Sequence, residues 1–598
     1  MNATISPKPL KNTHLPKQNE WNLNALFTSS QNAKSACEDT LQAAKNFNKH
    51  YQSKLSSIAP KDFERVLTQY EQLCENLGGV MTYAFLLFAK DTNNGALYAD
   101  FEQRVNKAQN ELLFFELELA KLDSTIIEQI ANYAPRYAFY VQKISEQAKY
   151  TLSLKEEQVL LKTSPISANA FSRLFDEHLA QARFKCRGKK LNEEQILALL
   201  HNPDRITRKQ AQKSFSAGLK KSRHLLSYIL NIVRKDVAIT KELRGYEKPE
   251  SFRHIANCIT QKSVDALVDC VNANYKVVHK YYTIKAKLMN IKTLKDYDRY
   301  APLEFKYPKQ KATLNYQSAL GEVLESFSNF SPTFASIAYK AIKEGWVDSH
   351  PTPNKRGGAF SHSAIPRAHP YVLLNWTGNR RDTFTIAHEF GHMIHQELSK
   401  QVGYLNADTP LTTAETASVF AEMLLFDSMK QKLNKKELLE LYAGKLEDIF
   451  STLFRQIVMT NFERAIHAKD GELSAQDFDT IWEEQNAKMF GDSLQLTKNY
   501  AGWWCYIPHF IHSPFYCYAY SYGQLLVLAL FGLYKMTQDN KAKREKFIQT
   551  YIGFLSRGGS LSPKELIKEF GFDIDDCAFW DIGMNEVKKM FSEFEELL

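Results

Sequence analysis

Thr385-Ile386-Ala387-His388-Glu389-Phe390-Gly391-His392-Met393-Ile394-His395 carries the pattern H-E-x-x-H inside a helix-compatible run that follows a short apolar stretch. Residues four apart share one face of a helix. His388 and His392 can therefore offer two imidazoles to one tetrahedral Zn2+, and Glu389, one step round the helix, can reach water held at that ion. His395 and Leu398 stand where a three-histidine variant of the motif would need glycine and histidine, which excludes that branch. A third ligand must come from further along the chain, and it must leave a fourth position open.

The candidates are Glu397, Glu415 and Glu422. Glu397 lies five residues past His392 on the same helix and points away from the two-histidine face. Glu415 and Glu422, seven apart in Ala-Glu-Thr-Ala-Ser-Val-Phe-Ala-Glu, are expected on one face of a second helix. Carboxylates among so many apolar residues are costly to bury unless a metal or an imidazole compensates them. Glu415 is accordingly expected on the metal and Glu422 behind it, orienting a histidine ligand. His395 is expected to be a packed or hydrogen-bonded histidine, since a fourth protein ligand would close the site.

Working outward, Tyr371 to Trp376, bounded by Pro370 and Gly378, reads as a strand. It ends a segment from Tyr300 to Gly378 in which Pro302, Pro308, Pro351, Pro353, Gly357, Gly358, Pro366 and Pro370 repeatedly interrupt helix. On either side the periodicity is helical, as in Phe63, Val66, Leu67, Tyr70 and Leu73, with Pro60 in the first turn before them. Trp21 is expected to dock the opening arm. Downstream, Ser513-Pro514 reads as the cap and first residue of a helix whose early turns carry Tyr516, Tyr518, Tyr520 and Tyr522. Most of these rings are expected to pack; one histidine and one phenol of this segment, aimed at a developing oxyanion, would complete a catalytic site.

The 598 residues, 44% hydrophobic and 24% charged, exclude collagenous, coiled-coil and wholly disordered classes. A net charge of +9 without a long basic block does not imply nucleic acid. Eight scattered cysteines without a C-x-x-C pair read as reduced core thiols in a reducing, cytoplasmic compartment. The first twenty residues contain no apolar leader core, and the run from Leu525 to Tyr534 is too short to span a bilayer, so neither export nor membrane insertion is expected.

Together these segments resemble the oligoendopeptidase F family of thimet-oligopeptidase-like zinc metallopeptidases. Also similar are Trp-Asn-Leu-Asn-Ala-Leu-Phe at 21 to 27, Arg-Gly-Gly-Ala-Phe at 356 to 360, Gly-Gly-Ser-Leu-Ser-Pro at 558 to 563 and Phe-Trp-Asp-Ile-Gly-Met at 579 to 584. The resemblance covers essentially the whole chain. It implies a mainly α, large ellipsoidal helical fold with a deep substrate channel and a small β element beside the zinc helix. It implies a helical region over residues 1–200 covering the channel and a catalytic region over 201–598, within one continuous body. By matched position, His388, His392 and Glu415 are implied as ligands of one Zn2+, Glu389 as general base, and His509 with Tyr516 as the pair that stabilises the transition state. Tyr518 and Tyr520 are alternative phenols. The implied activity is cleavage of internal bonds in short peptides, with the strand at 371 to 376 offering a free backbone edge to extended substrate. Two rivals stand beside it: a dipeptidyl-carboxypeptidase-type exopeptidase anchoring a free carboxylate on Arg356, Arg380 or Arg381, and a peptide-binding protein without turnover. Oligomeric state is left open.

Overall fold

Helix accounts for 73% of the chain and strand for 3%, so the architecture is set by where helices bury their apolar stripes. The computed structural model describes residues 20–303 and 314–598, without the side chains of Leu154, Gln158, Leu161 and Pro165. Pro308 and nearly all of the opening stretch read above for a leader lie outside the described residues. The chain forms two compact units, each gathered from three separate segments.

One unit comprises Met1–Lys149, Gln310–Lys432 and Tyr534–Gly571. Its N-terminal helices are α1 (Ser30–Tyr51), α2 (Phe63–Lys90) and α3 (Gly95–Leu112). Ser29 caps α1, its side chain accepting from Asn32 N, and a single turn opened by Pro60 leads into α2. Phe63, Val66, Leu67 and Tyr70 of α2 bury against Phe47, Phe101 and Phe115 in one apolar cluster. Three short strands follow: β1 (Val347–Asp348), β2 (Phe360–His362) and β3 (Tyr371–Leu373). β3 is central, parallel to β1 and antiparallel to β2, with Ser361 opposite Val372. Trp21 docks on it as expected, its indole N–H donating to Val372 O at 2.8 Å. The expected strand is therefore shorter than 371 to 376 and has no free edge. Beyond it, Leu374 N and Trp376 N still donate to Asp348 O and Ser349 O. The Asn375 amide instead ties down the turn at Arg356 and Gly358 by donating to both carbonyls.

The remaining elements of interest in this unit are α4 (Arg380–Ser399), which carries the H-E-x-x-H motif, α5 (Thr416–Met429) and α6 (Lys541–Ser556). Phe420 of α5 stacks on Tyr551 of α6 at 4.4 Å between ring centres. Tyr551 also donates to Thr416 O, which fixes the first turn of α5.

The other unit comprises Tyr150–Lys309, Leu433–Leu533 and Phe572–Leu598. Its spine is the 40-residue helix Arg205–Arg244, capped by Asp204 and ended by Gly245 at φ +70°, a left-handed conformation that glycine adopts without penalty. Phe215 and Leu230 of that helix pack with Phe462, Trp482, Trp503 and Trp504. A hairpin of Phe184–Cys186 with Lys189–Leu191 interrupts the helical text, which the sequence reading did not anticipate. Ser513-Pro514 does not start a helix either: Phe515 takes φ +57°, and the helix begins at Tyr518. The eight cysteines are free thiols; five are buried, but Cys577 is exposed rather than in a core. Among the described residues, no helix is long and apolar enough to cross a membrane.

Candidate metal centre

Asn379 and Asp382 form a reciprocal capping box at the start of α4. Asp382 Oδ2 also accepts from Thr377 N, Thr377 Oγ1 and Gly378 N, which anchors the turn between β3 and the helix. One helical turn apart downstream, the His388 and His392 rings stand 4.8 Å apart, nearly perpendicular. Gly391 between them is required by packing. A Cβ there would lie 2.4 Å from Ala417 O and 2.6 Å from Ser418 Cα, so only glycine lets the start of α5 approach this closely.

That approach delivers Glu415. It occupies the position just before α5 rather than lying within a continuous helix with Glu422. Its Oε2 lies 3.4 Å from His388 Nε2 and 3.3 Å from His392 Nε2, and it accepts from Ser418 Oγ at 2.7 Å. Tetrahedral ligands bonded to zinc at roughly 2.0–2.1 Å stand about 3.3–3.4 Å from one another. The donor set and spacing therefore suit that ion. Among the described residues, His388, His392 and Glu415 form the one group of His, Cys, Asp or Glu side chains able to hold a metal.

Glu422 Oε1 lies 2.7 Å from His388 Nδ1. With Nδ1–H donating there, it is Nε2, facing Glu415, that presents a lone pair to a metal once the imidazolium gives up its second proton. Burial alone would lower the His388 pKa, but the hydrogen bond and charge of Glu422, with the charges of Glu415 and Glu389, lift it to about 9. Burial alone would raise Glu415, but the hydrogen bond and charge of His392, with the charge of His388 and the Ser418 hydroxyl, pull it down to about 2. Glu389 is buried in the same place, and desolvation raises its pKa above the ordinary carboxylate value against the pull of the two histidines. His395 is buried and stands outside the metal-capable group; desolvation depresses it to about 3, so its imidazole is neutral.

His509 and the tyrosines belong to the other unit. The Tyr516 ring lies parallel to His509 at 6.0 Å and the Tyr520 ring perpendicular at 5.6 Å, with Tyr520 Oη 3.1 Å from His509 Nε2. Tyr518 is fully buried with its hydroxyl on His254 Nδ1 and Asn257 Nδ2, and Tyr522 is buried against Trp580. Of the four phenols, Tyr516 and Tyr520 thus remain beside His509. The sequence reading did not single out the Asp382 cap or the Gly391 crossing, although Asn379-x-x-Asp382 is a visible capping signature and a glycine inside a helix is itself a packing signal.

The description of peptidase family M3 matches residues 198–586, and that of oligopeptidase F matches residues 118–184. This chain belongs to peptidase family M3. Within the family of zinc metallopeptidases it falls in the oligopeptidase F subfamily. It is 27% identical to oligopeptidase PepF of Bacillus subtilis (strain 168), covering 98% of this chain and 89% of the relative. It is also 27% identical to an oligoendopeptidase F homolog of Borreliella burgdorferi, covering 97% and 100%. A crystal structure from Chlamydophila abortus matches with TM-score 0.86 at 26% identity, over 97% of this chain and 98% of that one. Oligoendopeptidase-F from Enterococcus faecium matches with TM-score 0.69 at 21% identity over 95% and 99%, a likeness of fold.

Proposed function

We propose that this M3 peptidase is a cytoplasmic, zinc-dependent endopeptidase that hydrolyses internal bonds of short oligopeptides. The observation that carries the reading is the convergence of His388, His392 and Glu415 at ligand spacing, with Glu422 behind His388. His388 and His392 through Nε2, and Glu415 through Oε2, would hold the ion. When bound, zinc supplies Lewis-acid polarisation of the scissile carbonyl and brings the pKa of water down to about 7.

The protein's own groups do the rest. Glu389 takes the proton released as water attacks and passes it to the departing amide nitrogen; its raised pKa brings it nearer neutrality, where such a shuttle works best. His509 and the Tyr516 hydroxyl donate to the oxyanion, with Tyr520 holding His509. Extended substrate pairs along the outer edge of β2, which Ser361 ties to α4 through two hydrogen bonds with Gln396. Catalysis is assigned to residues 201–598 and a covering role to the helical region 1–200.

The test uses zinc-loaded protein and an internally quenched peptide blocked at both ends, with and without chelator, beside Glu389→Gln. Internal cleavage that chelator abolishes and the variant lacks is the expected result. Cleavage only of peptides with a free C-terminus would replace this reading with an exopeptidase, and tight binding without cleavage would leave a binding protein.

A further inference from the structure

Beyond the metal centre, the first unit contains a cavity of about 340 Å³ between α2, the chain leaving β2, and the C-terminal end of α4. Gln396 lines it. Glu389 and Gln396 are seven residues apart on α4, so they share a face two turns apart, about 10 Å along the axis. Ser361 on β2 holds the Gln396 amide, and the backbone that continues from β2 supplies the adjoining wall. The cavity is thus walled by Gln396, which shares a helix face with Glu389, and by the chain that leaves the edge strand.

Its walls combine Met81, Phe85 and Ile365 with the acidic residue Asp408. Of the basic liners, Lys400 Nζ is tied to Glu397 at 2.7 Å, and burial drops the His362 pKa to about 4, leaving it neutral; burial likewise raises the Tyr404 phenol to about 12. Asp408 lines the cavity and is exposed to solvent there, and partial burial of its carboxyl raises its pKa against the opposing charge of Lys143. A cation docking there would relieve that cost. The loop that carries Asp408 is seated by the Gly-Gly-Ser segment: Gly559 N donates to Asn406 O at 2.8 Å, and a Cβ on Gly559 would lie 2.0 Å from Asp408 O. That gives a local reason for two glycines at 558 and 559, which the metal chemistry does not explain.

We propose that this cavity is a specificity subsite for one substrate residue with a long, cation-tipped side chain, lysine or arginine, its methylenes on the apolar wall and its charge on Asp408. The proposal rests on the endopeptidase reading and refines it. A methylene stem against apolar surface with a charged tip at a carboxylate matches the way such side chains distribute their surface.

The experiment is a positional scan of doubly blocked, internally quenched peptides in which each position in turn is lysine, norleucine or glutamate, cleaved by the zinc-loaded enzyme. One position is expected to favour lysine over norleucine by about tenfold in kcat/KM. Asp408→Asn should collapse that ratio, Asp408→Glu should retain it, and Asp408→Lys should shift the position toward glutamate. Circular dichroism and the melting temperature of each variant separate these effects from misfolding. Cleavage with no position sensitive to Asp408, or a preference for glutamate that Lys400→Met removes, would overturn the subsite while leaving the endopeptidase intact. Failure of the wild type to cut any blocked peptide would overturn both.

Discussion

His388 sits between two carboxylates, which makes the centre sensitive to pH before any metal arrives. In the metal-free protein its pKa is lifted from 6.5 to about 9, so at neutral pH it carries a proton that an incoming ion must displace. The sign follows from that direction. A histidine whose folded pKa is raised stabilises the metal-free fold fully below about 6.5 and loses that contribution as pH rises through about 9. Glu415, lowered to about 2, contributes above its ordinary range and is lost only in acid as pH falls through that value. Between pH 6 and 8 the histidine therefore dominates the change, and zinc at fixed free concentration should raise the melting temperature more at pH 8 than at pH 6. Equal or smaller shifts at pH 8 would contradict it. Glu422 acts through its hydrogen bond to His388 Nδ1. Glu422→Ala should weaken zinc binding about 10–100-fold in chelator competition, whereas Glu422→Gln, which keeps an acceptor oxygen, should lose less.

The crossing of α4 and α5 decides whether the carboxylate reaches the histidines, and it turns on backbone against backbone. Gly391→Ala places a methyl against Ala417 O and Ser418 Cα, neither of which can rotate away. Denaturant unfolding should show a loss of about 1–3 kcal/mol, accompanied by weaker zinc binding. The control is Gly444→Ala in the helix Lys435–Ile449, where an added Cβ meets nothing within 4 Å, and where stability should rise by about 0.5–1 kcal/mol. The loop before Tyr518 obeys a similar rule at longer range. Glu463, buried, accepts from Phe515 N at 2.7 Å and holds that residue at φ +57°, while Arg253 donates to Pro514 O and lies over the Tyr516 ring. Glu463→Leu should lower kcat about as much as Tyr516→Phe, and the double variant should be no worse than either; additive losses would separate the two residues. This explains what was legible in the sequence. The two histidines obey a local spacing rule and could be read directly, as could the helix that holds them. The Ser513-Pro514 cap signal failed because a carboxyl 52 residues away from Phe515 overrides it. The strand at Tyr371 was visible as an apolar run, but its partners are strands of two and three residues, too short to carry a periodic signal.

At the level of the molecule, sequence order and folding units do not coincide. Helices α1 to α3, at the start of the chain, belong to the same unit as the metal-capable group. Trp21 bonds β3 at Val372, across 351 residues. Arg136 pairs with the buried Glu71 and its carbonyl accepts from Asn406, so the N-terminal helices brace the segment just after α4. In the second unit, Phe175, Phe184 and Ile196, which precede residue 201, are buried in one cluster with Phe215, Trp503 and Trp504, which follow it. A catalytic region defined as 201–598 is thus a statement about which residues do chemistry, because a cut at 200 removes buried partners from both units. The residues deleted include large aromatic side chains, each of which costs about 3–5 kcal/mol when truncated singly, against a total stability of about 5–15 kcal/mol for a typical domain. The fragment 201–598 expressed alone should therefore lack a cooperative thermal transition and bind zinc weakly. Mixing it with 1–200 during refolding should restore both. A fragment 201–598 that melts cooperatively and cleaves blocked peptides by itself would show that its buried faces tolerate exposure, and that the long-range pairs at Val372 and Asn406 contribute little to holding the metal centre.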